Sequence, residues 1–198
     1  IGGLFNVTLG SILAYLFTYK DFYLKEVFFM MFISVMLLPS IMGMPILVPF
    51  MWQLNLQDSY IGYLLPNIAG GQVSALFLFR TFFGQQPKSI YESAKIDGAT
   101  DAKILLAITL PLAFPIILFQ FVTTFGSLYG DYLWPTLIMD KRQTLAPIMA
   151  TLASKYKTAN QSGAMYAMYI VSAIPLICTS IISMKFFSGG DFAAGMKL

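Results

Sequence analysis

The sequence predicts an all-α, polytopic membrane protein, a helical bundle of five spans, and three observations carry that prediction. Of 198 residues only 11% are charged, against about a quarter in soluble domains. The hydrophobic share is 58%, the aromatic share 16% and the mean hydropathy +0.73. Cutting the chain at its charges leaves five long charge-free stretches, 1–19, 27–57, 59–79, 104–130 and 158–184, of 19, 31, 21, 27 and 27 residues. About 20 apolar residues cross a bilayer, whereas the core helices of a soluble protein are usually shorter and keep one polar face.

Each stretch yields one span: 3–19, 27–51, 61–79, 104–127 and 164–184. Pro39, Pro45 and Pro49 fall in the second, Pro66 in the third, Pro111 and Pro115 in the fourth and Pro175 in the fifth. A proline removes a backbone donor and can kink its helix, which a bilayer tolerates only where neighbouring helices or water satisfy the freed carbonyl. A packed bundle with a cavity is therefore expected rather than isolated anchors. The chain opens at Ile1 without an initiator methionine or a basic leader, so further sequence is expected upstream.

The loops set the orientation. Segments 20–26, 80–103 and 185–198 hold eight Lys/Arg, whereas 52–60 and 128–163, of equal total length, hold four. The positive-inside rule places the first set in the cytoplasm. The outer segment 128–163 contains a charge-free run, Gln143 to Ser154, too short to span and expected to form an interfacial or re-entrant helix at the outer mouth. Residues 1–198 read as a single domain, with 80–103 as its cytoplasmic loop.

Several functions find no support. Histidine is absent and Cys178 is the one cysteine, which leaves neither a disulfide framework nor a thiolate metal site. A net charge of +3 without a basic, aromatic-interleaved patch gives no footing for nucleic-acid binding. No G-x-x-x-x-G-K-[ST] motif occurs, which leaves ATP binding without local support, and a chain without histidine cannot supply the H-E-x-x-H type of cluster that a metal-dependent membrane enzyme would want.

One polar island interrupts the apolar pattern: seven charged residues lie between Arg80 and Lys103. Within it Ser89-Ile90-Tyr91-Glu92 fits a capping box, which starts a helix at Ile90. Gly98 supplies the left-handed residue that closes that helix near Asp97. Thr100 then caps a second helix, with Asp101 at its positive end, which runs into the fourth span. Ala94 and Gly98 share one face and would let another surface come close, while Glu92 and Lys95 pair locally or offer charge to a partner. An ordinary solvated loop helix has the same local features.

Glu92-Ser93-Ala94, three residues, Gly98, nine residues and then Ile108-Thr109-Leu110-Pro111 resembles the EAA signature of the integral-membrane subunits of bacterial ATP-binding cassette importers. Ser93 stands where that pattern has its first alanine; every spacing holds. Ala14-Tyr15 before Lys20, Asp131-Tyr132-Leu133-Trp134-Pro135 and the tail Gly189 to Lys197 are similar to the carbohydrate-importing, maltose-transporter-like branch. The resemblance implies a permease subunit in a bacterial inner membrane, partnered by cytoplasmic ATPase subunits, a second permease subunit and an extracytoplasmic solute-binding protein. Such permeases usually have six spans, so the sixth is expected upstream of Ile1. ATP and its Mg would be bound by the ATPase. Glu92, Ser93, Ala94, Lys95, Asp97 and Gly98 would form the element that docks on the ATPase and transmits its closure to the spans.

A transport path needs polar groups, and Asn6, Gln72, Gln120, Thr123, Thr124, Ser127, Tyr129 and Trp134, with Tyr132, are the candidates. Their uncharged character suits a neutral hydroxylated solute, whose hydroxyls ask for hydrogen bonds and whose sugar faces stack on aromatic rings. The same residue types serve as interhelical hydrogen bonds and interfacial belt aromatics, and the sequence leaves both roles open. The runner-up functions are import of an amino acid, peptide or ion, and ion-coupled secondary transport. The latter usually needs an ionisable group inside the membrane, which these spans lack.

Overall fold

The structure is a computed structural model and describes residues 1–188, all helix and connecting turns. The glycine- and alanine-rich tail from Gly189 to Lys197 lies outside the described residues. Three helices are long and apolar enough to cross a membrane: α1 (Gly2–Tyr19), α4 (Tyr60–Phe83) and α11 (Ser162–Ser188), the last over Ser162–Phe186. The other two expected spans are bent pairs, which bring the total to five when each pair counts as one.

The second span is not one helix over 27–51. Helix α2 (Lys25–Met36) is followed by a 3-10 turn (Ser40–Gly43) and α3 (Met44–Gln53), and the halves meet at 91°. Pro39 denies Leu38 the helical region and supplies no N–H, so α2 ends just before it. Pro45 lies in the first turn of α3, where its missing donor is harmless. The fourth span breaks likewise. Helix α6 (Asp101–Ile104), a π-helical turn (Leu105–Thr109) and α7 (Leu110–Leu112) form one rod, which meets α8 (Phe114–Gly130) at 80°. Pro111 and Pro115 start α7 and α8. The bends thus fall near Pro39 and just ahead of Pro115, while Pro49, Pro66 and Pro175 sit inside the continuous α3, α4 and α11.

The bundle is built on the contact of α1 with α4, against which α8 packs. Gly10 and Ala14 on α1 face Gly71 and Ala75 on α4, and both alanines are fully buried. A Cβ on Gly10 would lie 2.5 Å from the Ala75 Cβ, and one on Gly71 would lie 2.3 Å from Asn6 Nδ2. Small residues four apart on both helices let the backbones approach closely, which is how membrane helices gain packing energy without a hydrophobic drive. Around this seam Tyr15, Phe17, Leu76, Phe79, Phe83, Ile104 and Leu105 form the main core. By contrast Met30, Met31, Met36 and Met42 are exposed on the bent second span.

A second core, on the side that the positive-inside count assigns to the outside and called outer on that basis, gathers Met51, Tyr63, Trp134, Ile138 and Met139. It involves α9 (Leu133–Ile138), a short helix that the sequence pattern did not announce, ahead of α10 (Leu145–Thr158). Helix α10 covers the charge-free run expected to be helical but too short to span. The outer connections are tied by Asp58, whose Oδ1 accepts the backbone N–H groups of Asp140, Lys141 and Arg142 at 3.1, 2.9 and 3.0 Å. Those bonds, led by the one from Arg142, hold the Asp58 carboxyl below the usual carboxylate range.

Candidate functional site

The polar island folds as a helix, an elbow and a second helix. Helix α5 (Lys88–Ile96) starts two residues earlier than the capping box predicts. Pro87, with φ −60° and ψ 119°, sits at the cap position and launches the helix directly after itself. Ser89 therefore falls inside the first turn, where its hydroxyl makes no cap bond. The C-terminal end follows the expectation. Gly98 has φ +77°, the Gly98 N–H donates to the Lys95 carbonyl at 3.0 Å, and the Ala99 N–H donates to the Ala94 carbonyl at 2.9 Å. Those two bonds are the Schellman closure. Thr100 Oγ1 accepts from the Lys103 N–H at 3.4 Å and caps α6.

This elbow is clamped to the end of α1 through Asp101. Its Oδ2 accepts from Lys20 Nζ at 2.6 Å; its Oδ1 accepts from Lys95 Nζ at 2.7 Å and from Tyr15 Oη at 3.1 Å. One carboxylate thereby joins α1, α5 and α6. The Lys20 and Lys95 ammonium groups, assisted by Tyr15, hold the Asp101 carboxyl well below the usual carboxylate range against the opposing effect of burial. The bond to Asp101 in turn raises Lys95. Aromatic packing reinforces the clamp: Tyr19 stacks on Tyr91 of α5 with ring centroids 4.6 Å apart.

A second link reaches the π-helical turn. Tyr19 Oη donates to Gln86 Oε1 at 3.1 Å, and Gln86 Nε2 donates to the Thr109 carbonyl at 3.2 Å. The turn before α5 is thus tied both to α1 and to the rod just ahead of Pro111. Asp101 entered the sequence reading only as a favourable charge, and Lys20, Tyr19, Gln86 and Tyr91 not as site residues. Their partners lie 67 to 86 positions away along the chain or across the glycine elbow, beyond any local pattern.

The residues expected to dock divide into two sets. Glu92, Ser93, Lys95, Asp97 and Gly98 are exposed. Ala94 is buried in the main core, so its small side chain serves the contact of α5 with its own bundle. Ile96, which the sequence reading passed over, is 86% exposed at the end of α5.

Of the path candidates, Asn6, Gln120 and Thr124 come together. Gln120 Nε2 donates to Asn6 Oδ1 at 3.0 Å, and Thr124 Oγ1 donates to the same oxygen at 3.3 Å. Asn6 and Gln120 are buried, and the cluster, with Ser74 at 3.5 Å from Gln120, clips α8 to α1 and α4. Asn6 Nδ2 and Gln72 Oε1, both buried, have no partner among the described residues. Thr123 and Ser127, one turn apart on α8, are exposed on a different face. At the outer end Tyr129 Oη donates to the Ser172 carbonyl at 2.8 Å, and Tyr129 and Tyr132 line a cleft of about 380 Å³ between α8, α10 and α11. Trp134 is buried in the outer core and does not face that cleft.

Comparison with known proteins bears on this arrangement. Residues 6–189 match the family described as binding-protein-dependent transport system inner membrane component. The sn-glycerol-3-phosphate transport system permease protein UgpE of Escherichia coli K12 is 32% identical over 193 residues, covering 93% of this chain and 68% of that protein. The UgpE protein of Shigella dysenteriae serotype 1 shows the same identity and coverage. In fold, the chain is similar to a chain of a bacterial ABC transporter involved in the import of the acidic polysaccharide alginate. The TM-score is 0.70 at 22% identity, over 94% of this chain and 73% of the other. With a family match across nearly its whole length and relatives at this identity, the chain belongs to the inner-membrane permease components of binding-protein-dependent ABC import systems.

Proposed function

We propose that the α5–Gly98–α6 elbow is the element through which this permease subunit receives movement from its ATPase, and that the solute carried is a sugar or a related small hydroxylated compound. As a permease of an ATP-driven importer in the inner membrane, the chain works with cytoplasmic ATPase subunits, a second permease subunit and a solute-binding protein. It is not an enzyme, and the nucleotide and its metal belong to the ATPase.

One observation carries the coupling reading: the exposed face of α5 is rigidly joined to two spans. Glu92, Ser93, Lys95, Ile96, Asp97 and Gly98 form the docking face, with Ile96 as its apolar anchor and the charges setting register. Asp101 then makes α1 and the α6–α7 rod follow α5, because moving the elbow away from α1 would break its bonds to Lys20 and Tyr15, and moving α5 away from α6 would break its bond to Lys95. Ala94 holds α5 against the bundle. The positive-inside count supports a cytoplasmic position for this loop.

For the solute, the exposed Thr123 and Ser127 on α8 and the tyrosines of the outer cleft support contact with hydroxyl groups and sugar-like faces. Asn6, Gln120 and Thr124 serve the bundle as interhelical hydrogen bonds. A phosphorylated polyol is the second reading, favoured by the relatives named for sn-glycerol-3-phosphate transport. Since no lysine or arginine lines the cleft between α8, α10 and α11, the phosphate charge would be met on the second permease subunit.

The test pairs crosslinking with transport. Cysteines placed at positions 92, 96 and 98 should capture the ATPase in native membranes, and Gly98→Asp or Glu92→Lys should abolish uptake while the protein still inserts. Capture of no ATPase, or normal uptake by both variants, overturns the coupling reading. A calorimetric screen of the cognate binding protein against sugars, polyols and their phosphates decides the solute class.

A further inference from the structure

A basic cleft lies at the boundary between the spans and the loop ends, beside the Tyr19–Gln86 link and lined by neither Asp101 nor residues 92–98. Its volume is about 270 Å³, and Lys25, Arg80 and Lys88 contribute to its wall together with Thr18, Phe17 and Phe83. No carboxylate lines it. The cations come from three places: the start of α2, the last turn of α4 and the start of α5.

Two of the three cations are largely buried, while Lys88 stands exposed at the rim. The Lys25 and Arg80 side chains are only 16% and 20% exposed. Lys25 has one carboxylate partner, Asp21, at 3.5 Å and fully exposed, a geometry that contributes little in water. Arg80 gives one N–H to Glu26 at 2.6 Å and stacks over Phe29 at 3.7 Å, which leaves donors of its five-donor fork free. Helix α2 starts at Leu24 and Lys25 without a side-chain cap, so its positive end adds to the same potential. Lys25, mostly out of water with only a long and fully exposed partner, favours a further anion, and the unused Arg80 donors can join in binding it.

Beside this charge the surface is apolar. Phe22, Leu24 and Phe28 are 41%, 46% and 46% exposed, in the short turn between α1 and α2 and on the first turn of α2. A ligand suited to the whole feature carries a phosphate beside a hydrocarbon body. We propose that the cleft binds the phosphate of an anionic phospholipid headgroup, with the acyl chains lying along α2. Phosphate diester oxygens accept from Lys25, Lys88 and the free Arg80 donors, as basic pockets between membrane helices do with acidic headgroups. This assignment depends on neither the solute nor the docking face.

The test uses the assembled importer, stripped of lipid in detergent, with native mass spectrometry as the readout. Probes are dioleoylphosphatidylglycerol, dioleoylphosphatidylcholine and inorganic phosphate. Phosphatidylglycerol should be retained in preference to phosphatidylcholine, and the double variant Lys25→Gln, Lys88→Gln should bind it about thirtyfold more weakly. The double variant Lys25→Arg, Lys88→Arg keeps the charge and should restore retention, which separates lost binding from lost assembly. Undiminished retention by the Gln variant, or equal retention of the two lipids, overturns the proposal. Binding of inorganic phosphate without preference between the lipids assigns the cleft to a soluble phosphate and also overturns it.

Discussion

Lys20 at the end of α1 holds Asp101 at the start of α6 at 2.6 Å, and the same carboxylate holds Lys95 of α5 at 2.7 Å. Asp101→Asn keeps the shape and removes the charge that both ammonium groups require. At a partly exposed site, discounted for solvent screening, a lost charged hydrogen bond corresponds to about a tenfold effect. Uptake in whole cells should fall by about that factor with normal membrane insertion. The diagnostic reading is the ratio of solute moved to ATP hydrolysed in proteoliposomes, which should fall because hydrolysis no longer drives α1. An unchanged ratio would refute the clamp.

The pH behaviour of this clamp follows from the two shifts. A carboxyl whose folded pKa lies below its unfolded value, about 4, stabilises above that value and loses the contribution as pH falls through the folded one. Lys95 is raised, so its contribution is complete below the unfolded value of about 10.4 and disappears as pH rises through the folded one. Neither partner titrates between about pH 5 and pH 9. The coupling ratio of the wild type should therefore be flat over that window at the loop face, and a sharp inflection inside it would show that another group governs the link.

Gly98 separates backbone strain from contact with a partner. Its φ is +77°, and a Cβ placed on it meets nothing within 4 Å in this chain. Strain alone predicts a graded series: Asn tolerates the left-handed region, Ala costs about 1 kcal/mol and Val more. Thermal stability of the isolated permease should follow that order. If uptake is lost equally in all three while stability stays graded, the added atoms collide with the docked ATPase and not with the chain itself.

Much of this architecture is legible along the sequence because it depends on local chemistry. Runs without charge announce spans, Gly98 and Thr100 announce the elbow, and the spacing from Glu92 to Pro111 announces the family. Three features were not legible. The right-angle bends fall near Pro39 and just ahead of Pro115, yet Pro49, Pro66 and Pro175 sit inside unbroken helices, so a proline in the sequence does not by itself announce a bend. Pro87 overrode the capping box by starting α5 ahead of Ser89. The partners of Asp101 and Gln86 sit on α1 and beyond the elbow, so only the fold brings them together.

The Asn6 and Gln120 pair decides between path and glue. Interhelical hydrogen bonds in membranes are worth about 0.5–2 kcal/mol each, so Gln120→Leu should lower thermal stability by roughly that amount and leave the KM for uptake unchanged. Gly71→Ala probes the same seam from the other side, because its Cβ would lie 2.3 Å from Asn6 Nδ2. Overpacking of this kind costs about 1–3 kcal/mol. A KM raised by Gln120→Leu at full stability would return Gln120 to the solute path.

Asp58 gives an outer-face counterpart whose failure is visible without a transport assay. Its carboxylate is the acceptor for three successive backbone N–H groups just before α10, at Asp140, Lys141 and Arg142. Asp58→Ala leaves those donors to water and frees the segment to open locally. Trypsin added to the outer face of the membrane should then cut after Lys141 or Arg142 several-fold faster than in the wild type. Because the Asp58 pKa is depressed in the folded state, its hold persists at neutral pH. The hold is lost only as pH falls through the folded value, so acidification below about pH 4 should open the wild-type loop towards the Asp58→Ala state. Equal cleavage of the two proteins at neutral pH would show that the outer core around Trp134 and Ile138, rather than Asp58, holds this connection closed.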